Sequence, residues 1–161
     1  MIDLDQKLSP HFTLREMTVT AHRRYIQENQ KVGEVAMTAL RALCTDLLEP
    51  VREKFGPVII HSGYRCQQLN SAIGSHPTSQ HPKGQAADFH CANVDLMTVF
   101  NWIKDESGFG ERAGQLILEG WSRFGAGWIH LSLGEPFRHR GNAQAMTWTS
   151  SQGYHVIGSI R

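Results

Sequence analysis

The sequence lacks the features that define several large classes of protein. Its 16 lysines and arginines nearly balance 15 aspartates and glutamates, and the formal net charge of +1 is far from the basic excess of a typical nucleic-acid binder. No apolar run approaches the roughly 20 residues that a membrane-spanning helix needs. We therefore expect neither nucleic-acid binding nor membrane insertion.

Cysteine is scarce, and the first residues do not resemble an export signal. Cys44, Cys66 and Cys91 are odd in number and lack metal-type spacing, so we expect mostly free thiols with buried structural roles. Residues 1–7 are polar and acidic, without the basic start and apolar core of a signal peptide. We expect the protein to be made and kept in a cytoplasm, or released by a route other than standard secretion.

The composition is that of a folded chain. With 161 residues, 40% of them hydrophobic and 19% charged, the chain is long enough for one domain with a real core. No repeat, low-complexity tract or linker-like run divides it. We predict a single domain over residues 1–161, with its core at about 8–140 and a tail at 141–161 that the patterns do not assign.

Helical patterns dominate the first half. Thr13 and Glu16 have the spacing of a capping box, which predicts a short helix, whereas the polar residues 20–30 predict a loop. A longer helix follows, which Pro50 should kink or end early and Gly56-Pro57 should stop. Its apolar stripe consists of Val32, Val35, Ala39, Leu43, Leu47 and Val51.

Strand patterns dominate the second half. We predict a buried strand at residues 58–60 and further strands at residues 84–89, 115–119 and 128–133. The last two form a hairpin across the glycine-rich residues 120–127. Short helices are expected at residues 65–73, closed by Gly74, and after Asn93 as cap. The order predicts an α+β fold: a small, mainly antiparallel sheet with helices packed against it.

Two histidines and an aspartate occupy positions that suit a metal. His81 lies in a loop seven residues before Asp88, and small residues between them leave space beside the carboxylate. On the strand at 128–133, His130 alternates with apolar residues and so points away from the core. Each residue alone is more often structural, but the joint pattern favours a metal site.

The ligand types favour zinc in a catalytic setting. Two imidazoles and one carboxylate are common zinc ligands, and three protein ligands leave a fourth tetrahedral position for water. Zinc lowers the pKa of water to about 7 and polarises a substrate carbonyl.

A second group of residues surrounds Arg65, which follows Ser62-Gly63-Tyr64 at the end of a predicted strand. The rigid guanidinium fork of arginine binds carboxylates and carbonyls. Two interpretations carry equal weight: a clamp on the substrate, or a structural arginine that caps loop carbonyls.

In chain order these motifs resemble the zinc D-alanyl-D-alanine carboxypeptidase family, and most closely its phage endolysin branch. They are Ser62-Gly63-Tyr64-Arg65, Ser79-Gln80-His81 with Gly84 and Ala87-Asp88, and Trp128-Ile129-His130. The resemblance covers about residues 8–140 and implies the Hedgehog/DD-peptidase fold. It implies one zinc ion per chain on His81, Asp88 and His130, and hydrolysis of peptide bonds in bacterial peptidoglycan stem peptides.

The resemblance also implies roles for other residues. Arg65 binds the peptide substrate, and further substrate-binding candidates are Ser62, Tyr64, Ser79 and Trp128. A phage or prophage origin, with release to the cell wall, would fit the family.

The chain departs from the family pattern at the general base. Many members carry an acidic residue three positions before the last zinc histidine, where this chain has Gly127. Glu119, one hairpin away from His130, is the candidate base, and a solvated strand end is the equally weighted alternative. Ser132 is interpreted as a partner of a ligand histidine or the substrate. The tryptophans Trp121, Trp128 and Trp148 form either a stacking wall or, more commonly, part of a core.

The leading hypothesis is a zinc peptidase, carboxypeptidase-like or endolysin-like. The alternative is a non-catalytic wall-binding or phage structural protein that retains the fold and the metal. Gly127 favours this alternative, and the intact ligand set argues against it. A metal-independent amidase that uses Cys91 lacks a histidine partner other than the adjacent His90.

Overall fold

Most of the helices lie in the first half of the chain and most of the strands in the second. The computed structural model describes residues 2–120, 127–134, 144–149 and 153–161. The α-helices are α1 (Leu14–Met17), α2 (Ile26–Asn29), α3 (Glu34–Leu43), α4 (Glu49–Phe55), α5 (Gln67–Ala72) and α6 (Leu96–Asp105). The strands are β1 (Val58–Ser62), β2 (Ala86–Cys91), β3 (Ala113–Glu119), β4 (Trp128–Leu133), β5 (Gln144–Thr149) and β6 (Gly153–Ser159). None of the described helices is long and apolar enough to cross a membrane.

The capping box at the start of α1 is confirmed. The Thr13 hydroxyl accepts the backbone N–H of Glu16, and the Glu16 carboxylate accepts the backbone N–H of Thr13 at 2.9 Å. The loop predicted at residues 20–30 is wrong, because a 3₁₀ turn (Arg23–Tyr25) and α2 lie there. Polar residues form this helix because its last residue, Asn29, is held by tertiary hydrogen bonds, which no local sequence pattern predicts.

The long helix predicted from the apolar stripe is present, with an irregular turn in its middle. A π-helical turn, Cys44–Leu48, separates α3 from α4, and Pro50 lies in the first turn of α4, where its missing N–H is tolerated. Val35, expected on the buried stripe, is 87% exposed because it lies in the first turn of α3, before the helix meets the core. Gly56 ends α4 with a φ of 85°, as predicted.

The strands form one six-stranded sheet in the order β1-β2-β4-β3-β5-β6. Its described pairs are antiparallel except for β3 with β5, so the prediction of a mainly antiparallel sheet in an α+β fold is confirmed. Strands β5 and β6 come from the part of the chain that the patterns did not assign. Most of the predicted turn at residues 120–127, including Trp121, lies outside the described residues.

One face of the sheet builds the core and the other is open. Apolar side chains of β2, β3 and β4 pack with α3, α4 and α6; they include Phe89, Leu116, Leu118, Ile129 and Leu131. The strand at residues 58–60 is less buried than expected, since β1 is an edge strand and Ile59 is 43% exposed. The predicted cap Asn93 is also wrong: Asp95 caps α6 by accepting the Thr98 N–H at 3.0 Å.

A close backbone contact joins the end of β1 to α1. The Tyr64 N–H donates to the Met17 carbonyl at 2.7 Å, and a Cβ on Gly63 would lie 2.5 Å from that same oxygen. We expect Gly63→Ala to lower the free energy of unfolding by about 1–3 kcal/mol, because backbone must move to make room.

Thermal and urea unfolding followed by circular dichroism measure this change. The matched control is Gly33→Ala, because φ at Gly33 is −73° and a Cβ there meets nothing within 4 Å. Equal stability of the two variants would contradict the predicted steric conflict.

Candidate metal centre

The antiparallel pairing of β2 with β4 brings two of the predicted ligands together. Asp88 and His130 are direct cross-strand partners, and both side chains lie on the open face of the sheet. His81 reaches them from a 3₁₀ turn, His81–Lys83, which Gly84 ends in the left-handed region with a φ of 70°. A Cβ at Gly84 would lie 2.3 Å from the Ala36 carbonyl, so glycine lets this turn pack closely on α3.

The three ligand atoms converge at short range. His130 Nδ1 lies 2.8 Å from Asp88 Oδ1, and His81 Nε2 lies 3.3 Å from both of these atoms. All three residues are buried, at 3%, 6% and 7% exposed for His81, Asp88 and His130. Within the described part of the chain, this is the one cluster of histidine, cysteine and carboxylate groups that would hold a metal ion.

The hydrogen bonds of the site fit a cation. His81 Nδ1 lies 2.7 Å from the Gly63 carbonyl, which only accepts, so Nδ1 carries the proton and Nε2 presents its lone pair to the cluster. Burial lowers the pKa of His81, which favours the neutral imidazole that binds metals. Burial alone would raise the pKa of Asp88, but His81 and His130 hold it well below its ordinary value. Two imidazoles and one carboxylate, with the ring of His81 oriented by the Gly63 carbonyl, fit zinc.

Arg65 is tied to this cluster. Its Nη2 donates to Asp88 Oδ2 at 2.5 Å, its Nε donates to the Ser62 hydroxyl at 2.7 Å, and its backbone N–H donates to the His81 carbonyl. The side chain also lines the cleft above the ligands. The guanidinium therefore orients Asp88 and at the same time presents positive charge to the cleft.

An open cleft of about 1000 Å³ lies over the three ligands. Arg65, Ser79, Glu119 and Trp128, the candidates for substrate contact or proton transfer, line it together with His76. Ser62 reaches the site through its bond to Arg65.

Three further residues have their contacts outside the cluster of ligands. Tyr64 lines a separate pocket between the α3 N-terminus and Pro82. The hydroxyl of Ser132 accepts the Gln115 N–H at 2.9 Å instead of bonding a ligand histidine. His90 pairs with His61, with ring nitrogens 2.7 Å apart.

Glu119 ends β3 beside the cluster. Its cross-strand partners are Trp128 of β4 and Trp148 of β5. Ile117, two residues earlier on β3, is the partner of the ligand His130. The carboxyl is half-buried, and burial raises the pKa of Glu119 above its ordinary value. Glu119 is thus a cleft residue and not a solvated strand end.

Cys91 does not provide a nucleophile. It lies in the core, and burial raises the pKa of its thiol to about 11, so the thiolate is scarce at neutral pH. All three cysteines are free and buried, as expected.

Asn29, which no pattern in the sequence singles out, holds the segment that carries Arg65. This fully buried side chain donates to the carbonyls of Thr18 and Tyr64 at 2.9 and 3.1 Å and accepts the Cys66 N–H at 2.7 Å. The last two bonds bracket Arg65 on both sides. Asn29 stands in a polar stretch, so only its tertiary partners distinguish it from a surface asparagine.

A buried cluster of two histidines and one aspartate on the floor of an open cleft is the arrangement of a catalytic metal site in a hydrolase. A family model described as Peptidase M15 matches residues 10–131, and the chain belongs to this family. Membership implies a metallopeptidase and confirms the resemblance to zinc D-alanyl-D-alanine carboxypeptidases. A comparison with curated protein sequences gave no match.

We expect Asn29→Ala to destabilise the fold by on the order of 3 kcal/mol, because three backbone groups, two of them in buried hydrogen bonds, lose their partner. The matched control is Asn101→Ala, which truncates an exposed asparagine on α6. Urea unfolding of both variants measures the difference. Near-equal free energies of unfolding of the Asn29→Ala and Asn101→Ala variants would contradict the role of Asn29 in fixing the backbone on each side of Arg65.

Metal content tests the ligand assignment. Protein purified without chelators and supplied with zinc should contain about one zinc ion per chain by elemental analysis. His81→Ala and Asp88→Ala should lose it, because two ligands bind zinc far more weakly than three. His22→Ala, an exposed histidine outside the cleft, should keep it. A wild-type protein that stays metal-free in excess zinc would overturn the site.

Proposed function

We propose that this protein is a zinc-dependent peptidase that hydrolyses peptide bonds in peptidoglycan stem peptides, in the manner of a D-alanyl-D-alanine carboxypeptidase or an endolysin. The observation that carries the proposal is the convergence of His81, Asp88 and His130 on the floor of an open cleft in a peptidase M15 chain. The motifs that resemble stem-peptide hydrolases all fall within the matched residues.

The open side of the cluster faces the substrate. His81, Asp88 and His130 would hold the zinc ion, which supplies Lewis-acid polarisation of a carbonyl and lowers the pKa of water to about 7. Arg65 lies on the side of β1 and β2, where its guanidinium would bind a carbonyl or carboxylate oxygen of the peptide. Ser79 and Trp128 complete the wall that positions the peptide backbone.

Glu119 is the group placed to move the proton. Its carboxylate would take a proton from the attacking water as the new C–O bond forms, and return it to the leaving amine as the C–N bond breaks. Glu119 lies on the same open face as His130, two residues along β3 from the position that pairs with His130, which is about 7 Å along the strand. The raised pKa of Glu119 makes its carboxylate a stronger base than that of an exposed glutamate, which suits proton transfer from water. Glu119 would therefore take the role of the acidic residue that many family members carry at the position of Gly127.

Digestion of purified peptidoglycan, with products identified by mass spectrometry, tests the activity. Release of free D-alanine would identify a carboxypeptidase, and opening of cross-links or stems would identify an endopeptidase. If the zinc-loaded protein binds peptidoglycan but releases no product, the peptidase hypothesis fails and the hypothesis of a non-catalytic wall-binding protein is supported.

The role of Glu119 has its own test. We expect Glu119→Gln to lower kcat by about 10²–10⁴-fold, the usual contribution of a general base, while zinc content stays at the wild-type level. Glu53→Gln, which changes an exposed carboxylate on α4, is the control and should retain full activity. A Glu119→Gln variant with wild-type kcat would assign proton transfer to another group.

A further inference from the structure

The C-terminal hairpin of β5 and β6 lies outside the residues matched by the family, yet it forms part of the cleft. Met146 of β5 and Tyr154 of β6 line the cleft together with Glu119 and His130. The hairpin joins the sheet through the parallel pairing of β5 with β3. The cleft therefore extends past the family's matched region to a second wall on the β6 side.

The register of the sheet aligns one row of side chains across four strands. Trp128 is the partner of Glu119, Glu119 is the partner of Trp148, and Trp148 is the partner of Tyr154. Cross-strand partners share a face, so this row lies on the open face beside the metal ligands. The rings of Trp148 and Tyr154 are in contact, with centroids 6.2 Å apart.

The Tyr154 hydroxyl is available to a ligand. The residue is 60% exposed, and its hydroxyl has no hydrogen-bond partner in the part of the chain that the structure describes. Burial, with the carboxylates of Glu119 and Asp88, raises the pKa of Tyr154, so its O–H remains a donor at neutral pH. The carboxylate of Glu119 also disfavours a negatively charged ligand group at this place.

We propose that Tyr154 is a substrate-binding residue that donates a hydrogen bond to a neutral backbone carbonyl of the bound peptide, remote from the bond that is cut. The inference rests on the proposed peptidase function.

Distance supports the remote position. Strand β6 lies three strand spacings from β4, on the order of 14 Å, which corresponds to about four residues of extended peptide. Arg65 lies on the opposite side of the ligands, toward β1. A peptide held at both walls would run across the metal centre, with its cut bond between them.

Kinetics with peptides of two lengths test this role. On a five-residue stem peptide, Tyr154→Phe should lower kcat/KM about tenfold, mainly through a higher KM, because one substrate hydrogen bond is lost. On a peptide shortened to the two residues that flank the cut bond, the variant should equal wild type. Tyr25→Phe, which removes a hydroxyl outside the cleft, is the control for both peptides. An unchanged kcat/KM on the long peptide, or an equal loss on both, would overturn the assignment.

A binding measurement separates this proposal from the peptidase function. Calorimetry gives the Kd of the five-residue peptide for Glu119→Gln and for the double variant with Tyr154→Phe, and the second Kd should be about tenfold higher. If wild type cuts no peptide but the two Kd values differ in this way, the peptidase function fails and the Tyr154 contact stands. Hydrolysis by wild type with equal Kd values rejects the Tyr154 contact alone. Absence of both hydrolysis and binding rejects both.

Discussion

The cross-strand contact between Asp88 and His130 is the interaction on which the rest of the site depends. It exists because β2 and β4 pair antiparallel in one register, and a shift of either strand by one residue would turn that strand's ligand into the apolar core and separate the pair. A buried carboxylate is costly without partners, and Asp88 has three: two histidines and Arg65. Burial of the Asp88 carboxylate is therefore tolerated only while both histidines and Arg65 remain in contact with it.

The surrounding structure serves to hold these members in place. Gly63 approaches α1 closely and directs its carbonyl at His81, so that one short segment sets both the end of β1 and the orientation of a ligand. Asn29 fixes the backbone on each side of Arg65. Backbone groups of distant segments thus hold the ligand His81 and the neighbouring Arg65 in fixed orientations, as a metal centre requires.

Much of the fold was predictable where the physical cause is local. The capping box of α1, the stop at Gly56 and the alternation along β4 each depend on neighbouring residues, and each was confirmed. The predictions for Val35, Asn93 and residues 20–30 were wrong because burial and tertiary hydrogen bonds decided them. Strands β5 and β6 were missed because much of β6 is exposed and carries no clear alternation.

The sequence by itself determined the ligand types, their order and the family to which their motifs point. These follow from the chemistry of imidazole and carboxylate groups and from the short spacing within each motif. Only the tertiary structure decided that Glu119 borders the cleft, that Asn29 supports Arg65 and that Tyr154 lines the same cleft. Each of these three depends on strand order or on contacts between residues far apart in the chain, and no local pattern encodes such contacts.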